Sequence, residues 1–324
     1  MIRLAVVLLT AVLAAGAACA QSGDIAWPNR PVHFIVPFPA GGSTDTVARL
    51  VGQLLGARLG QQFVIENRVG ASGNLGTEAV ARAAPDGYTI GLATTTTHAL
   101  APLFYKNLPF EPLKDFAPVS MLGSSPFVMV VPPGLPVKDL GEFIALAKSK
   151  SDALSYGSAG AGSLAHLAAA LFANMAGVKM VHVPYKASVQ STTDLMTGRL
   201  DMQFATVPPT LELLRAGKLR ALGIASARRS ALLPDVPTIA EAGLSGYEAS
   251  LWMAVVAPAA TPPVIVAHLN REIAAALTSQ EGKAAMVNQG VDPEPSTPEA
   301  LVTRMRDEIG KWRELVGKAE IKPE

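Results

Sequence analysis

The stretch from Val32 to Leu59 constrains the fold more than any other part of the chain. Val32 to Phe38 is an apolar run that reads as a strand, and Pro37-Phe-Pro-Ala-Gly-Gly-Ser-Thr-Asp45 turns it. A helix is expected to start near Ser43 to Asp45, because Val47, Leu50, Val51, Leu54, Leu55 and Leu59 then share one face at the i, i+3, i+4 spacing. Gly41 and Gly42 carry no Cβ, so the backbone there can approach a guest closely. Ser43 or Thr44 is expected to cap the helix. Free N–H groups at the positive end of a helix dipole suit a carboxylate or a phosphate. An ordinary tight turn between strand and helix has the same composition.

The same grammar continues. Phe63 to Asn67 reads as a second strand, and Asn67 to Gly76 is a second glycine-rich turn into a helix over about Thr77 to Ala83. Thr89 to Ala93 is a short strand ending at Thr94-Thr-Thr-Thr-His98. Strands at Val119–Gly123 and Phe127–Val131 follow a proline-rich passage. Gly157-Ser-Ala-Gly-Ala-Gly-Ser163 then leads into an amphipathic helix from Leu164 to Ala176, and further strands are read at 181–185, 200–205, 219–225 and 251–257. Pro234 to Thr238 is expected to start a short helix that ends at Gly243. The late helices carry charged faces (Arg304, Arg306, Asp307, Glu308, Lys311, Arg313), read as solvated surface. Strand–helix alternation marks parallel sheet with crossovers. The chain has 324 residues, enough for two domains. Two α/β units, each with a Gly/Ser loop entering a helix, could hold a small anion from both sides of a cleft, since ligands of open α/β sheets sit at strand C-terminal ends.

The first twenty residues read as an export leader. Arg3 precedes an apolar run from Leu4 to Ala18, and Ala18-Cys-Ala20 fits a cleavage site. Cleavage after Ala20 removes Cys19, the single cysteine, and leaves 26 basic against 26 acidic residues. Lipidation at Cys19 is the competing reading, disfavoured by Gly16 where a leucine would be usual. A neutral chain with no Lys/Arg-rich run gives no sign of a nucleic-acid partner.

Catalytic and cofactor patterns fail one by one. Gly160-Ala-Gly162-Ser-Leu-Ala165 fits a dinucleotide loop, but no acid lies between Asp152 and Asp194 to hold a ribose. There is no G-x-S-x-G elbow and no phosphate loop of the G-x-x-x-x-G-K-[ST] type. None of the five histidines (His33, His98, His166, His182, His268) pairs with another at helical spacing, so no metal site is indicated. Asp45 could meet a polar group of a ligand or could tie down its own glycine loop. Lys186 could pair with a carboxylate or stand exposed at a strand end. Without a nucleophile–base pair, a metal cluster or a cofactor fingerprint, the chain reads as a binding protein rather than an enzyme, with no cofactor.

Taken in order, Pro37–Asp45, Glu66-Asn-Arg-Val-Gly-Ala-Ser-Gly-Asn-Leu-Gly76, Pro85-Asp-Gly-Tyr-Thr89, Tyr156-Gly-Ser-Ala-Gly-Ala-Gly-Ser-Leu-Ala-His166, His182-Val-Pro-Tyr-Lys186, Gly217-Lys-Leu-Arg-Ala221 and Leu233-Pro-Asp-Val-Pro-Thr238 resemble the successive motifs of the Bug-type substrate-binding proteins. These are the extracytoplasmic receptors of tripartite tricarboxylate transporters, and the resemblance covers almost the whole mature chain. It implies an α/β, type II periplasmic-binding-protein fold, with two lobes joined by a hinge and a ligand cleft between them. It implies a small carboxylate ligand, held largely by backbone N–H groups, hydroxyls and water, and a membrane permease as partner. By position it points to Ala40, Gly41, Gly42, Ser43 and Asp45, to Thr96, Thr97 and His98, and to Ser158, Ala159, Gly160 and Ser163. Lys186 and Thr206 complete the expected ligand-binding set.

The sequence departs from the family's pattern at Ala170, Ala187 and Ala205, where an acid, a glycine and an aspartate are usual. The missing charge at Ala205 favours a plain or aromatic acid over an amino acid. The expected organisation is a leader over 1–20, lobe 1 over 21–123 and 246–324, and lobe 2 over 124–245, with hinge crossings near Gly123 and Gly246. The expected protein is a periplasmic monomer. A sensor of the same fold, docking on a receptor kinase, is the alternative.

Overall fold

The computed structural model describes residues 27–150, 154–160, 163–185 and 188–318. The leader with Cys19, and Lys186, lie outside the described residues.

Three strand-to-helix units open the chain. β1 (Val32–Val36) leads to α1 (Ser43–Leu59), and β2 (Phe63–Asn67) passes a 3₁₀ turn at Ala71–Gly73 into α2 (Asn74–Ala81). β3 (Thr89–Thr94) runs into a π-helical turn, Thr95–Leu100, and the short α3 (Ala101–Phe104). β1 pairs in parallel with both β2 and β3, so all three following loops leave one edge of the sheet. α1 forms where it does because Val47, Val51 and Leu55 are buried with Phe34, Val36 and Phe63 of the sheet. Gly60, left-handed at φ 68°, ends it.

β4 (Phe116–Val131) is one 16-residue strand where two short strands were expected. Then come α4 (Leu140–Ser149), β5 (Ser155–Ser158), α5 (Leu164–Ala176), β6 (Val181–Pro184), α6 (Ser188–Met196), β7 (Met202–Thr206), α7 (Val207–Arg215) and β8 (Arg220–Ile224). The chain closes with β9 (Ser250–Pro258), α8 (Pro263–Thr278), α9 (Gln280–Asn288), β10 (Asp292–Pro293) and α10 (Pro298–Lys318). Pro118 and Pro126 break the strand pattern in the sequence, yet partners carry the strand past them. β9 pairs antiparallel with β4 from Phe116 to Pro126, and β7 takes over from Phe127. Between Pro234 and Gly243 the chain forms turns, not the expected helix. The backbone of Pro237 and Ile239 bonds to Ile224 at the end of β8, which holds this stretch in a strand-like position instead.

Strand directions place the site. β3 is antiparallel to β9, and β9 is antiparallel to β4, so the first half of β4 runs with β1, β2 and β3. The second half is antiparallel to β7, which is parallel to β5 and β6. The C-terminal edges of the two parallel sets therefore face each other across the point where β4 changes partners. The order β2-β1-β3-β9-β4-β7-β5-β6 puts the shared strands in the middle and β2 and β6 at the outer ends. The chain thus forms two α/β lobes joined through β4.

α10 joins the lobes. Its Leu301, Met305, Ile309, Trp312 and Leu315 lie in one core with Phe116 and Met121 from the first half of β4 and with Phe127, Phe172 and Tyr247 beyond it. Part of its charged face is buried rather than solvated as expected. Glu308 is 5% exposed and accepts from Trp312 Nε1 at 2.7 Å, while Arg304 donates to Glu248 at 2.6 Å. Tyr247, next to Glu248, is pinned by its hydroxyl to the Ala168 carbonyl of α5 at 2.9 Å. No helix among the described residues is long and apolar enough to cross a membrane.

Candidate functional site

On the first edge, Pro39, Ala40, Gly41, Gly42 and Ser43 are exposed between β1 and α1. Gly42 is the N-cap of α1, in extended conformation and with no side-chain cap, so neither Ser43 nor Thr44 caps the helix as expected. The first intrahelical bond runs from Thr46 N–H to Gly42 O, which leaves the N–H groups of Ser43, Thr44 and Asp45 as open first-turn donors. Asp45 is 1% exposed and ties the loop down from beneath. Its carboxylate accepts from Gly41 N–H at 2.8 Å, Arg49 Nε at 2.8 Å and Asn67 Nδ2 at 2.9 Å. Burial works against its charge, but the bonds from Arg49, Gly41 and Asn67 outweigh it and hold the carboxyl below the usual range. Gly41 sits at φ +80°, a conformation glycine adopts freely.

Gly73 locks the three loops of this edge together. A Cβ there would lie 2.8 Å from Thr97 Cγ2 and 3.3 Å from the Phe38 ring, and its φ is +97°. Thr94 and Thr97 close a capping box at the start of the π-helical turn. Of the expected trio, Thr96 alone is partly exposed, while Thr97 and His98 have no solvent access. Thr97 Oγ1 shares a hydrogen bond with His98 Nδ1 at 2.9 Å, and the His98 ring lies 4.8 Å from Phe116. Burial pushes the His98 pKa down to about 3, so its ring is neutral and shapes the turn from inside.

The second edge is built by β5, β6 and β7, which are followed by α5, α6 and α7. Ser163 caps α5, accepting from His166 N–H at 3.3 Å and donating to Gly160 O at 2.7 Å. Ser158 is fully buried; its Oγ accepts from Gly160 N–H at 3.1 Å and shares a hydrogen bond with His182 Nε2 at 2.7 Å. Ala159 is exposed and Gly160 half-buried at the tip. The His166 and His182 rings stack at 4.0 Å, with Tyr156 stacked 4.9 Å from His182. Burial, then the charge of His182, pushes His166 down to about 4, and burial lowers His182 as well.

The Ser158–His182 pair is what reading along the chain missed. The partners are 24 positions apart, and only the parallel register that sets Ser158 beside Pro184 brings them together. Ser158 Oγ is sealed from solvent and engaged by Gly160, so the pair braces a loop.

The floor of the cleft lies at the exchange of partners in β4. Thr206, exposed at the end of β7, faces Phe127 in register. Thr95 Oγ1 donates to Ser250 O at 3.2 Å and accepts from Trp252 N–H at 3.0 Å, and Ser250 faces Pro126. Thr206 and Thr95, the neighbour of Thr96, thus lie on the two sides of this exchange of partners. Five helices of eight or more residues start at the facing edges: α1, α2, α5, α6 and α7. Their N-termini and the hydroxyls between them can hold an anion. Among the described residues no group of His, Cys, Asp and Glu could hold a metal ion.

The family described as tripartite tricarboxylate transporter family receptor matches residues 47–321. Protein BugT of Bordetella pertussis is 39% identical over 317 residues, covering 98% of this chain and 97% of that protein. Among solved structures, R. palustris Rpa4515 with adipate is similar at a TM-score of 0.78 and 38% identity, covering 92% of this chain and all of that one. MatC (Rpa3494) from Rhodopseudomonas palustris with bound malate is similar at a TM-score of 0.72 and 35% identity, covering 90% of this chain and 100% of that one.

Proposed function

The chain belongs to the tripartite tricarboxylate transporter receptor family, and from that premise we propose that it binds a small carboxylate between its lobes and delivers it to the permease of such a transporter. It is a receptor of the periplasm and not an enzyme. The observation that carries the ligand class is the pair of facing edges, each with helix N-termini and hydroxyls and, on the first edge, the open N–H groups of Ser43 and Thr44. Two relatives solved with adipate and with malate hold acids of this kind.

In this reading Ala40, Gly41, Gly42, Ser43 and Thr96 meet the ligand from lobe 1. Ala159, Gly160, Ser163, Thr206 and Lys186 meet it from lobe 2. Asp45, Thr97, His98 and Ser158 act by holding the loops. Lobe 1 comprises 21–123 and 246–324, and lobe 2 comprises 124–245. The exchange of partners in β4 at Pro126 and the start of β9 at Ser250, close to these bounds, support this division. Closure about that hinge is favoured by contacts made only in the closed state. The leader is cleaved after Ala20, and the mature receptor works as a monomer that docks on the permease. The family match does not favour the sensing alternative.

A thermal-shift panel tests this. Mature protein, unfolded and refolded to strip carried-over ligand, is screened against mono-, di- and tricarboxylates, amino acids, sugars and sulfonates. A carboxylate at a hundredfold excess over its Kd raises the stability by about 2.7 kcal/mol. A shift with a sugar or a sulfonate and with no carboxylate would overturn the reading.

A further inference from the structure

Asn74 is the first residue of α2, on the lobe 1 edge, directly after the Gly73 that packs on Phe38 and Thr97. It is 4% exposed, and its Oδ1 is buried without a hydrogen-bond partner. No hydrogen bond of the described residues involves its side-chain amide, although its own N–H is used, donating to Ala71 O. Buried amides are nearly always paired, and leaving one unpaired costs stability. Leucine in its place would fill a similar volume without that cost.

Two of the other orphaned polar atoms sit in cores. His98 Nε2 is enclosed beside Phe110 and Phe116, and Ser191 Oγ lies against the backbone of Gly157. Asn74 differs by its place. Helix side chains tilt toward the N-terminus, and Asn74, as the first residue of α2, stands at the positive end of the helix dipole on the lobe 1 edge. An amide also turns about χ2, which exchanges its donor and its acceptor at one point in space.

We propose that Asn74 is a ligand-binding residue, its amide nitrogen donating to a carboxylate oxygen of the bound acid. The proposal rests on the carboxylate reading of the cleft and adds a side-chain amide donor to a lobe 1 edge otherwise made of backbone N–H groups and hydroxyls. The unpaired amide of the free protein is then the counterpart of a bond made only when the acid arrives.

The test is calorimetric titration of Asn74→Leu and Asn74→Asp with the acid that binds the wild-type protein best, together with urea unfolding of both. Asn74→Leu is expected to raise Kd about 10–100-fold, the range for one hydrogen bond to a charged group, while its unfolding midpoint stays at or above that of the wild type. Asn74→Asp loses the donor and repels the acid, so its Kd rises further. Unchanged Kd in Asn74→Leu, or a lower unfolding midpoint with unchanged Kd in both variants, would assign the residue to structure and overturn the proposal. If the wild type binds no carboxylate at all, the receptor reading itself fails, and this assignment with it.

Discussion

Asp45→Ala lowers the unfolding free energy by about 2 kcal/mol and weakens carboxylate binding at least tenfold, the scale of hydrogen bonds to a charged group. The Asp45 carboxylate gathers three donors from three different places: Gly41 in the loop, Arg49 one turn along α1 and Asn67 at the end of β2. Removing it leaves Gly41 N–H and one Asn67 donor unpaired. Arg49, half-exposed, returns to water, which keeps the loss below that of a fully buried ion pair. The binding effect is indirect. Asn67 Nδ2 also donates to Phe38 O at 3.0 Å, so the whole turn from Phe38 to Ser43 hangs on this cluster. Asp45→Asn keeps an acceptor for Gly41 and loses less on both measurements. Urea unfolding and calorimetric titration of the two variants check this. Loss of stability with Kd unchanged would separate the cluster from the binding loop.

Trp312→Ala costs more, about 3–5 kcal/mol, as expected for truncating a fully buried aromatic residue. The indole fills the core shared by both lobes, and its Nε1–H satisfies Glu308, itself buried in α10. The variant therefore opens a cavity and strands part of a carboxylate at once. Trp312→Phe retains most of the apolar volume and loses the hydrogen bond, so it falls between the two. Because α10 packs on both lobes, one cooperative unfolding transition at a lower urea midpoint is expected. A variant whose lobes unfold in two separate steps, with the midpoint of the first unchanged, would show that α10 does not couple them.

Much of the fold was legible because its signals are local. The apolar run of β1, the Gly41-Gly42 turn and the heptad-like face of α1 lie within thirty residues, and the structure forms them as expected. The same holds for the loop after β5 and the helix from Leu164 to Ala176 that it enters. What was not legible depends on partners far along the chain. The continuity of β4 past Pro126 comes from β9 on one side and β7 on the other. The failed helix after Pro234 is an extended contact with Ile224. Glu308 looks like a solvated charge until Trp312, Lys311 and Arg304 are placed around it. The Gly42 cap was missed for a different reason: serine and threonine are favoured at N-caps, and an exposed glycine loop there leaves the first-turn donors open.

For the site, residue type could not separate groups that face the cleft from groups that hold it open. Thr96, Thr97 and His98 are consecutive, yet burial divides them. Asn74 carried no sequence signal beyond its place after a glycine; its unpaired amide is visible only in three dimensions.

The central claim is that one carboxylate is gripped by the facing edges of both lobes. A crystal structure of the mature protein with the acid selected by the thermal-shift panel tests it most directly. The account predicts a closed form in which carboxylate oxygens lie within hydrogen-bond distance of the Ser43 or Thr44 N–H on one side, while the acid also contacts the Ser158–Ser163 loop or Thr206 on the other. An acid bound to one lobe alone, or outside the cleft, would contradict it.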